Sequence, residues 1–176
     1  MTMFLAVLFL TVMALLLVFL LTTAVIAIVD VPYMPCGSRA GRRMMELAGV
    51  KSGEMVMDLG CGDAGLLILA AKEFGACGVG YEINPFIRLY AQLRVKLSGV
   101  AHLVSVRQGN IFKTQFPTCD VIVLFLLDTA NKRLAESLKQ QLGPGVRIVS
   151  RAFALPGFKE IARERYGNTN LYVYVS

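Results

Sequence analysis

The chain has 176 residues and a net charge of +6, from 18 basic and 12 acidic side chains that all lie after position 29. This length allows one compact domain with a hydrophobic core beside a terminal segment, but not two such domains. Four cysteines without a C-x-x-C pair, and a single histidine, argue against a zinc site, so we expect reduced thiols and no metal. The basic excess suits nucleic acid, anionic lipid or an acidic protein, or simply a soluble surface beside a membrane.

The first 29 residues are uncharged, and residues 3–29 are apolar apart from three threonines. As a helix, this run would reach roughly 40 Å at about 1.5 Å per residue, which exceeds the ~30 Å hydrocarbon core of a bilayer. A cleaved signal peptide is the alternative, but it needs a basic start and a shorter apolar run of about 7–15 residues. We therefore predict one transmembrane anchor over residues 1–29.

Charged residues beside this segment predict its orientation. Arg39, Arg42 and Arg43 follow the apolar run closely, whereas only the terminal amine precedes it. Short basic flanks stay in the cytoplasm. We therefore expect a single-pass membrane protein whose remaining domain lies on the cytoplasmic side.

Two prolines and a glycine mark residues 30–37 as an extended connector. In the "SRAGRRMMELAGV" that follows, apolar residues recur at helical spacing behind Ser38, a candidate N-cap. The apolar members are Met44, Met45, Leu47 and Ala48.

Beyond this helix, short apolar runs alternate with helical segments. Strands are predicted at 54–60, 77–83, 103–109, 119–127 and 146–153, and helices at 64–75, 84–99 and 131–143. The last run, 158–175, predicts an antiparallel hairpin around Gly167 and Asn168. Residues 38–176 therefore predict an α/β domain with a doubly wound, Rossmann-like sheet and a C-terminal antiparallel hairpin.

The stretch "VMDLGCGDAGLL", residues 56–67, satisfies two cofactor-binding patterns at once. Gly60, Gly62 and Gly65 fit G-x-G-x-x-G, the turn that holds a dinucleotide pyrophosphate at a helix start. Asp58 with Gly60 and Gly62 fits the acid-x-G-x-G turn that holds S-adenosylmethionine. Either ligand would bind at the carboxyl ends of the strands, where the winding of the sheet reverses.

Charge and size favour S-adenosylmethionine. Carboxylates at Asp58 and Asp63 would oppose a pyrophosphate, but they suit a ligand that carries an ammonium and a sulfonium. A nicotinamide enzyme also needs a region for its hydride partner, and the roughly 90 residues after Glu82 hold only the rest of one sheet. An NAD-binding, membrane-tethered module is the alternative.

Further cofactor contacts are predicted at the ends of the second, third and fourth strands. Glu82 follows Gly60 by 22 residues, where an acid accepts hydrogen bonds from both ribose hydroxyls. Asn110 is placed to read the adenine edge with Ile111 packed near the ring, although a turn role is the alternative for Asn110. The predicted cofactor-binding set is Asp58, Gly60, Cys61, Gly62, Asp63, Glu82, Ile83, Asn110, Ile111 and Phe125.

With these residues placed, residues 31–176 resemble the small seven-β-strand protein-lysine methyltransferases. That family includes an archaeal broad-specificity enzyme and membrane-anchored mitochondrial enzymes that methylate the ATP synthase c subunit and the adenine nucleotide translocase. The matching pieces, in order, are "VPYMP", "DLGCGD", "GYEIN", "GNIF", "VLFLL" and "RIVSRAF". Ala64 and Gly65 depart from the glycine and arginine that the family commonly has there, and "MPCG" departs from its VPTP-like connector. The resemblance implies S-adenosylmethionine-dependent methylation of lysines, here in a membrane or membrane-proximal protein.

For lysine methylation, Tyr33 and Asp128 are the candidate catalytic residues. Tyr33 would line a narrow apolar channel for the lysine, and residues 125–127 would lie near its floor. Asp128 would steer the ammonium in or accept its proton. The alternatives are a packed connector ring for Tyr33 and a helix N-cap for Asp128.

Methylation of a nucleic acid or a small molecule is the alternative function. Base-amine methyltransferases usually carry an N/D-P-P-aromatic motif after the fourth strand, and this chain has "FLLDTAN" there, which makes nucleic acid the weaker reading. A non-enzymatic tethered module with a vestigial loop is disfavoured because Asp58, Gly60, Gly62 and Glu82 are all intact.

Overall fold

The computed structural model describes residues 2–29 and 36–176, with side chains over 3–23 and 36–176. Most of the predicted connector, 30–37, lies outside the described residues, and Tyr33 lies there with it. The helices of the described chain are α1 Thr2–Val29, α2 Ser38–Leu47, α3 Gly65–Phe74, α4 Pro85–Leu97 and α5 Asp128–Gln141. Its strands are β1 Met55–Leu59, β2 Cys77–Glu82, β3 Val104–Gln108, β4 Val121–Leu124, β5 Arg147–Arg151, β6 Lys159–Tyr166 and β7 Thr169–Val175.

These strands form one sheet in the order β3-β2-β1-β4-β5-β7-β6. Strands β1 to β5 run parallel, and β7 pairs antiparallel with both β5 and β6. The strand order reverses between β1 and β4, which is where doubly wound sheets bind their ligands. The predicted α/β sheet with a C-terminal hairpin is therefore confirmed.

Helices cover both faces of this sheet, which explains why its central strands are apolar on successive residues. One face packs against α2 and α3 through Met44, Met45 and Leu67. The other face packs against α5 through Leu134 and Leu138. All five side chains are completely buried, so the sheet is packed between two layers of helices. Parallel pairing of β1 with β2 and β4 places the carboxyl ends of these three strands side by side.

Three predicted boundaries are wrong. β4 ends at Leu124 rather than residue 127 because the chain leaves the strand ladder there, and α5 begins at Asp128 rather than residue 131. β5 ends at Arg151 because Ala152 has a left-handed φ of 72°, which turns the chain out of the sheet. α2 has Gly37 as its N-cap residue and no side-chain cap, so Ser38 does not cap it.

Helix α1 contains a candidate membrane span, Met3–Thr23. The most apolar part of this span is not buried in the described protein. Length and composition are the grounds for this candidate, and a signal sequence would meet them as well. α1 contacts the domain through Phe19 and Phe86 of α4, whose ring centroids are 6.3 Å apart with their planes at 81°. This contact joins the C-terminal part of the span to the first turn of α4.

Candidate cofactor site

The loop after β1 folds back over the end of β2. Gly60 and Gly62 have φ values of 83° and 52°, in the left-handed region where glycine has no steric penalty. The N–H groups of Gly60 and Cys61 both donate to the Tyr81 carbonyl, at 2.9 and 3.0 Å. The two glycines therefore permit a tight turn that is tied to the neighbouring strand.

The Cys61 side chain is buried against β2. It is 6% exposed, and a Cβ placed on Gly80 would lie 2.6 Å from its Sγ. Burial raises the pKa of this thiol well above its ordinary value, and the nearby Asp58 adds to the rise. Cys61 is therefore a neutral packing group, and a cofactor contact from this residue would come from its backbone.

Glu82 ends β2 with its carboxylate bound to the loop. Its Oε2 accepts a hydrogen bond from Gly62 N at 3.1 Å, and its Oε1 accepts one from Asn84 N at 2.8 Å. Burial raises the pKa of Glu82, while the N–H groups of Asn84, Gly62 and Ile83 oppose that rise. The structure thus brings Glu82 to the glycine loop, with Ile83 partly exposed beside it. Their contacts with a cofactor stay predictions.

Asn84 holds this corner together, although the sequence reasoning assigned it no role. Its Oδ1 accepts hydrogen bonds from Phe86 N at 2.9 Å and Ile87 N at 3.3 Å, so it caps α4. The side chain is completely buried, and its Nδ2 has no partner in the part of the chain that the structure describes. An asparagine directly before a proline at a helix start is the signal that could have identified it.

Asp58 is a buried carboxyl group that no positive charge compensates among the described residues. It is 4% exposed, and within residues 36–176 no hydrogen bond or ion pair holds its side chain. Burial raises the pKa of Asp58 to about 8, and the charge of Glu82 adds to the rise. A cation beside Asp58 would favour its ionised form, whereas a phosphate would oppose it.

Asp63 is already neutralised within the protein. Its carboxylate forms an ion pair with Nη1 of Arg94 on α4 and accepts a hydrogen bond from Gly65 N at 3.0 Å. The prediction that its charge repels a pyrophosphate is therefore wrong, because Arg94 offsets that charge. Ala64, which precedes α3, has a left-handed φ of 59°, a conformation that glycine would adopt without strain.

Asn110 shapes the turn after β3. Its Oδ1 accepts a hydrogen bond from Phe112 N at 3.0 Å, so the turn role left open for it is confirmed. Its Nδ2 makes no hydrogen bond among the described residues and is the group that a ligand could use. Ile111 is 6% exposed and belongs to the same core cluster as Tyr81. Their contacts with adenine stay predictions.

A cluster that the sequence reasoning missed lies beside the end of β4. The Arg151 guanidinium lies 4.5 Å from the centroid of the Phe125 ring, and its Nη1 donates to Cys36 Sγ at 3.2 Å. Burial raises the pKa of Cys36, Arg151 opposes that rise and Asp58 adds to it. Arg151 therefore lies between the Phe125 ring and Cys36, whose thiol is close enough to Asp58 for that carboxylate to influence its pKa. Only the position of Arg151 at the carboxyl end of β5 could have signalled this.

Asp128 begins α5, and its carboxylate pairs with Nζ of Lys132 at 2.5 Å. Leu127 is the N-cap residue, so the N-cap role considered for Asp128 is wrong. Leu126 is 2% exposed and packs in the core, and the place of residues 125–127 near the floor of a lysine channel stays a prediction. Within residues 36–176 no direct contact joins Asp128 to Asp58 or Glu82. Its catalytic role stays a prediction, as does that of Tyr33.

The residues at this edge fit S-adenosylmethionine. Asp58 offers an uncompensated carboxyl group to a cation, and Glu82 presents oxygen acceptors held by the backbone. The charge of Asp58 disfavours a pyrophosphate, whereas an acid at the Glu82 position suits the ribose of either ligand class. Among the described residues there is no group of three or more His, Cys, Asp or Glu side chains that could hold a metal ion.

Comparison with known proteins agrees with this chemistry. The model of the family described as ANTKMT methyltransferase domain matches residues 58–162. A protein-lysine N-methyltransferase from Saccharolobus islandicus is 38% identical over 148 residues, which cover 82% of this chain and 92% of that protein. The adenine nucleotide translocase lysine N-methyltransferase of Mus musculus is 30% identical over 146 residues, 82% of this chain but 63% of the mouse enzyme. The chain thus spans less than two thirds of that relative.

The crystal structure of an RNA methyltransferase from Salinibacter ruber, in complex with S-adenosyl-L-homocysteine, is also similar. It has a TM-score of 0.78 and 34% identity, and the match covers 81% of this chain and 93% of that one. The family match over more than half of the chain, with the 38% identity to the Saccharolobus enzyme, shows that this chain belongs to the ANTKMT methyltransferase domain family, whose cofactor is S-adenosylmethionine.

Proposed function

We propose that this chain transfers methyl groups from S-adenosylmethionine to lysine side chains of a membrane or membrane-proximal protein. The observation that carries this proposal is the 38% identity to a protein-lysine N-methyltransferase across 92% of that protein. The uncompensated Asp58 carboxyl group beside Glu82 supports the cofactor half of the proposal independently of the comparison.

Each cofactor-facing residue has a distinct task in this proposal. Glu82 accepts hydrogen bonds from the ribose hydroxyls, because Gly62 and Asn84 already orient its carboxylate. Asp58 holds the ammonium of the methionine part, and Asn110 donates from Nδ2 to the adenine edge. The bound cofactor supplies an electrophilic methyl group on a positively charged sulfur.

The lysine amine must be neutral before it can attack the methyl carbon. At pH 7.4 that costs about 4 kcal/mol for a pKa near 10.4, at 1.36 kcal/mol per pH unit. An apolar wall and a fixed cation both lower the pKa of a lysine. Phe125 provides the ring and Arg151 the cation at the end of β4 and β5.

Two residues complete the proposed path of the lysine. Asp128 steers the ammonium or takes the released proton, after its exposed ion pair with Lys132 opens. Tyr33 lines the channel through which the lysine enters. Holding the amine, the methyl carbon and the sulfur in line is the main catalytic contribution, and positioning alone can lower a barrier by several kcal/mol.

The membrane half of the proposal depends on α1. Its apolar span, Met3–Thr23, supports a single-pass anchor, and the mouse relative is named for its action on the adenine nucleotide translocase. Arg39, Arg42 and Arg43 after the span support a cytoplasmic catalytic domain. Arg42 and Arg43 are paired with acids of the domain, but acidic residues contribute little to the positive-inside rule.

Methylation of RNA is the second candidate, because the Salinibacter structure at 34% identity is described as an RNA methyltransferase. The segment after β4, "FLLDTAN", differs from the N/D-P-P-aromatic motif of base-amine methyltransferases. The two candidates share the cofactor corner and differ only in the group that enters beside Phe125.

The deciding experiment offers the full-length chain, in lipid vesicles, both native membranes and total RNA with a methyl-labelled cofactor. We expect the label on lysines of membrane proteins, identified by mass spectrometry of the labelled bands. Glu82→Ala should abolish labelling, while Glu136→Ala, at an exposed site on α5, should leave it unchanged. Label in RNA and none in protein would overturn the proposal and favour the second candidate.

A further inference from the structure

Helix α4 presents an apolar stripe to solvent on the side opposite its buried face. Ala91 and Val95 face the core, whereas four large apolar side chains are 53–78% exposed: Leu89, Tyr90, Leu93 and Leu97. At about 100° per residue, these four and Phe86 fall within one arc of roughly 100°. These five residues are called the α4 stripe. An exposed run of this kind on a small domain indicates a binding surface.

Basic residues border the α4 stripe. The helix carries three basic residues and no acidic one, with Lys96 at one border of the stripe and Arg94 at the other. Arg94 is paired with Asp63, whereas Lys96 is exposed and has no ion pair among the described residues. An apolar arc bordered by basic residues is the pattern of a helix that lies in the interface of a membrane, about 5–10 Å into the headgroup boundary.

The anchor helix brings this surface to the bilayer. Phe19 of α1 contacts Phe86, the first member of the α4 stripe, at a centroid distance of 6.3 Å. The apolar run of the sequence ends at residue 29, about 15 Å of helix beyond Phe19. The start of α4 therefore lies beside the C-terminal part of the anchor, on the side from which the domain follows.

We propose that the α4 stripe seats in the interfacial layer of the bilayer that α1 spans, with Lys96 toward anionic phospholipid headgroups. This inference rests on the membrane anchoring within the proposed function and adds a second, lateral contact to it. Because α4 begins three residues after Glu82, seating α4 keeps the carboxyl end of β2 close to the membrane surface. The site then accepts lysines that lie close to that surface.

The absence of tryptophan from the sequence gives a direct test. Leu93→Trp places one fluorophore on the α4 stripe, and Ile161→Trp places one on β6, at the opposite edge of the sheet, where the native side chain has the same 53% exposure. Both full-length variants are reconstituted in phosphatidylcholine–phosphatidylglycerol vesicles with and without brominated acyl chains. Vesicle flotation, S-adenosylhomocysteine binding and methyl transfer to membrane proteins are measured on the same samples.

We expect a blue-shifted emission and bromine quenching for Leu93→Trp, and neither for Ile161→Trp. Leu97→Trp, on the most exposed residue of the α4 stripe, should behave like Leu93→Trp. It provides the same measurement if Leu93→Trp does not fold. Vesicle-bound, active protein in which neither α4 variant is quenched overturns the seating while leaving the proposed function intact. Equal quenching in Ile161→Trp also overturns it, since the contact would not be specific to α4.

Two further outcomes distinguish a lipid from a protein partner of the α4 stripe, and the membrane seating from the proposed lysine methylation. A blue shift that appears only when a membrane-protein substrate is added, without bromine quenching, overturns the lipid contact and makes the α4 stripe a protein-docking face. Quenching of both α4 variants in a chain that transfers no methyl group to lysine supports the seating and overturns the proposed function instead.

Discussion

Cofactor affinity should rise steeply between pH 6 and pH 8, because Asp58 must lose its proton before it can hold a cation. With a pKa of about 8 in the ligand-free protein, roughly 1% of this carboxyl group is ionised at pH 6 and about 10% at pH 7. The dissociation constant should therefore fall about tenfold from pH 6 to pH 7 and about fivefold from pH 7 to pH 8, where Asp58 is about half ionised. The raised pKa of Glu82 acts in the same direction.

Calorimetric titration with S-adenosylhomocysteine, which keeps the ammonium group, measures this dependence. Repeating it in buffers with different ionisation enthalpies should show close to one proton released per cofactor bound at pH 7. The range stops at pH 8 because Asp58 is about half ionised there and the dependence weakens above it. Asp58→Asn has the same shape but cannot ionise, so it should bind weakly with little pH dependence. A wild-type constant that changes less than about twofold from pH 6 to pH 8 would refute the reasoning.

Four substitutions test the other parts of the site. Glu82→Ala should weaken S-adenosylmethionine binding about 100-fold, or about 3 kcal/mol, by calorimetry, while Glu136→Ala should not weaken it. An affinity of the Glu82 variant within a few-fold of wild type would show that Glu82 does not bind the cofactor. Ala64→Gly should raise the unfolding free energy by about 1 kcal/mol in urea, because it relieves a left-handed φ; a decrease would show that the alanine is unstrained. Arg94→Met should cost about 1 kcal/mol and lower Tm by about 2–4 °C, since its ion pair is only partly buried; an unchanged Tm would contradict that stabilising role. Asp128→Ala should slow methyl transfer to lysine without changing cofactor affinity, and an unchanged rate would limit Asp128 to a structural role at the start of α5.

The sheet and the glycine loop were predictable because they depend on short-range rules. Apolar runs of strand length, separated by helical periods, determine a doubly wound order, and Gly60 and Gly62 mark a turn that few other residues could form. Glu82 was predictable because it ends the strand that follows the glycine loop in sequence and pairs with β1 in the sheet. The ends of β4 and β5 were not, since apolar residues continue past Leu124 and a left-handed Ala152 has no sequence signature.

The charge environment of the site was not predictable, because it depends on contacts between distant segments. Arg94 offsets Asp63 across 31 residues, and Arg151 meets Cys36 across 115 residues. A sequence motif therefore shows that a carboxylate is present, but not whether a cation from another segment offsets its charge. The raised pKa of Asp58 likewise follows from burial beside Glu82, which only the folded sheet produces.

Gly80 packs so closely against Cys61 and Leu67 that a larger residue at position 80 requires changes at both. A methyl group on residue 80 would lie 2.6 Å from the Cys61 sulfur and 2.8 Å from Leu67, so any side chain there must displace the loop or the helix behind it. The Cys61 Cβ would lie 2.8 Å from the same methyl group, so volume gained at position 80 must be given up at positions 61 and 67. Homologues with alanine at position 80 should carry glycine at position 61 and a residue smaller than leucine at position 67, which makes these positions a covariation marker of the loop conformation.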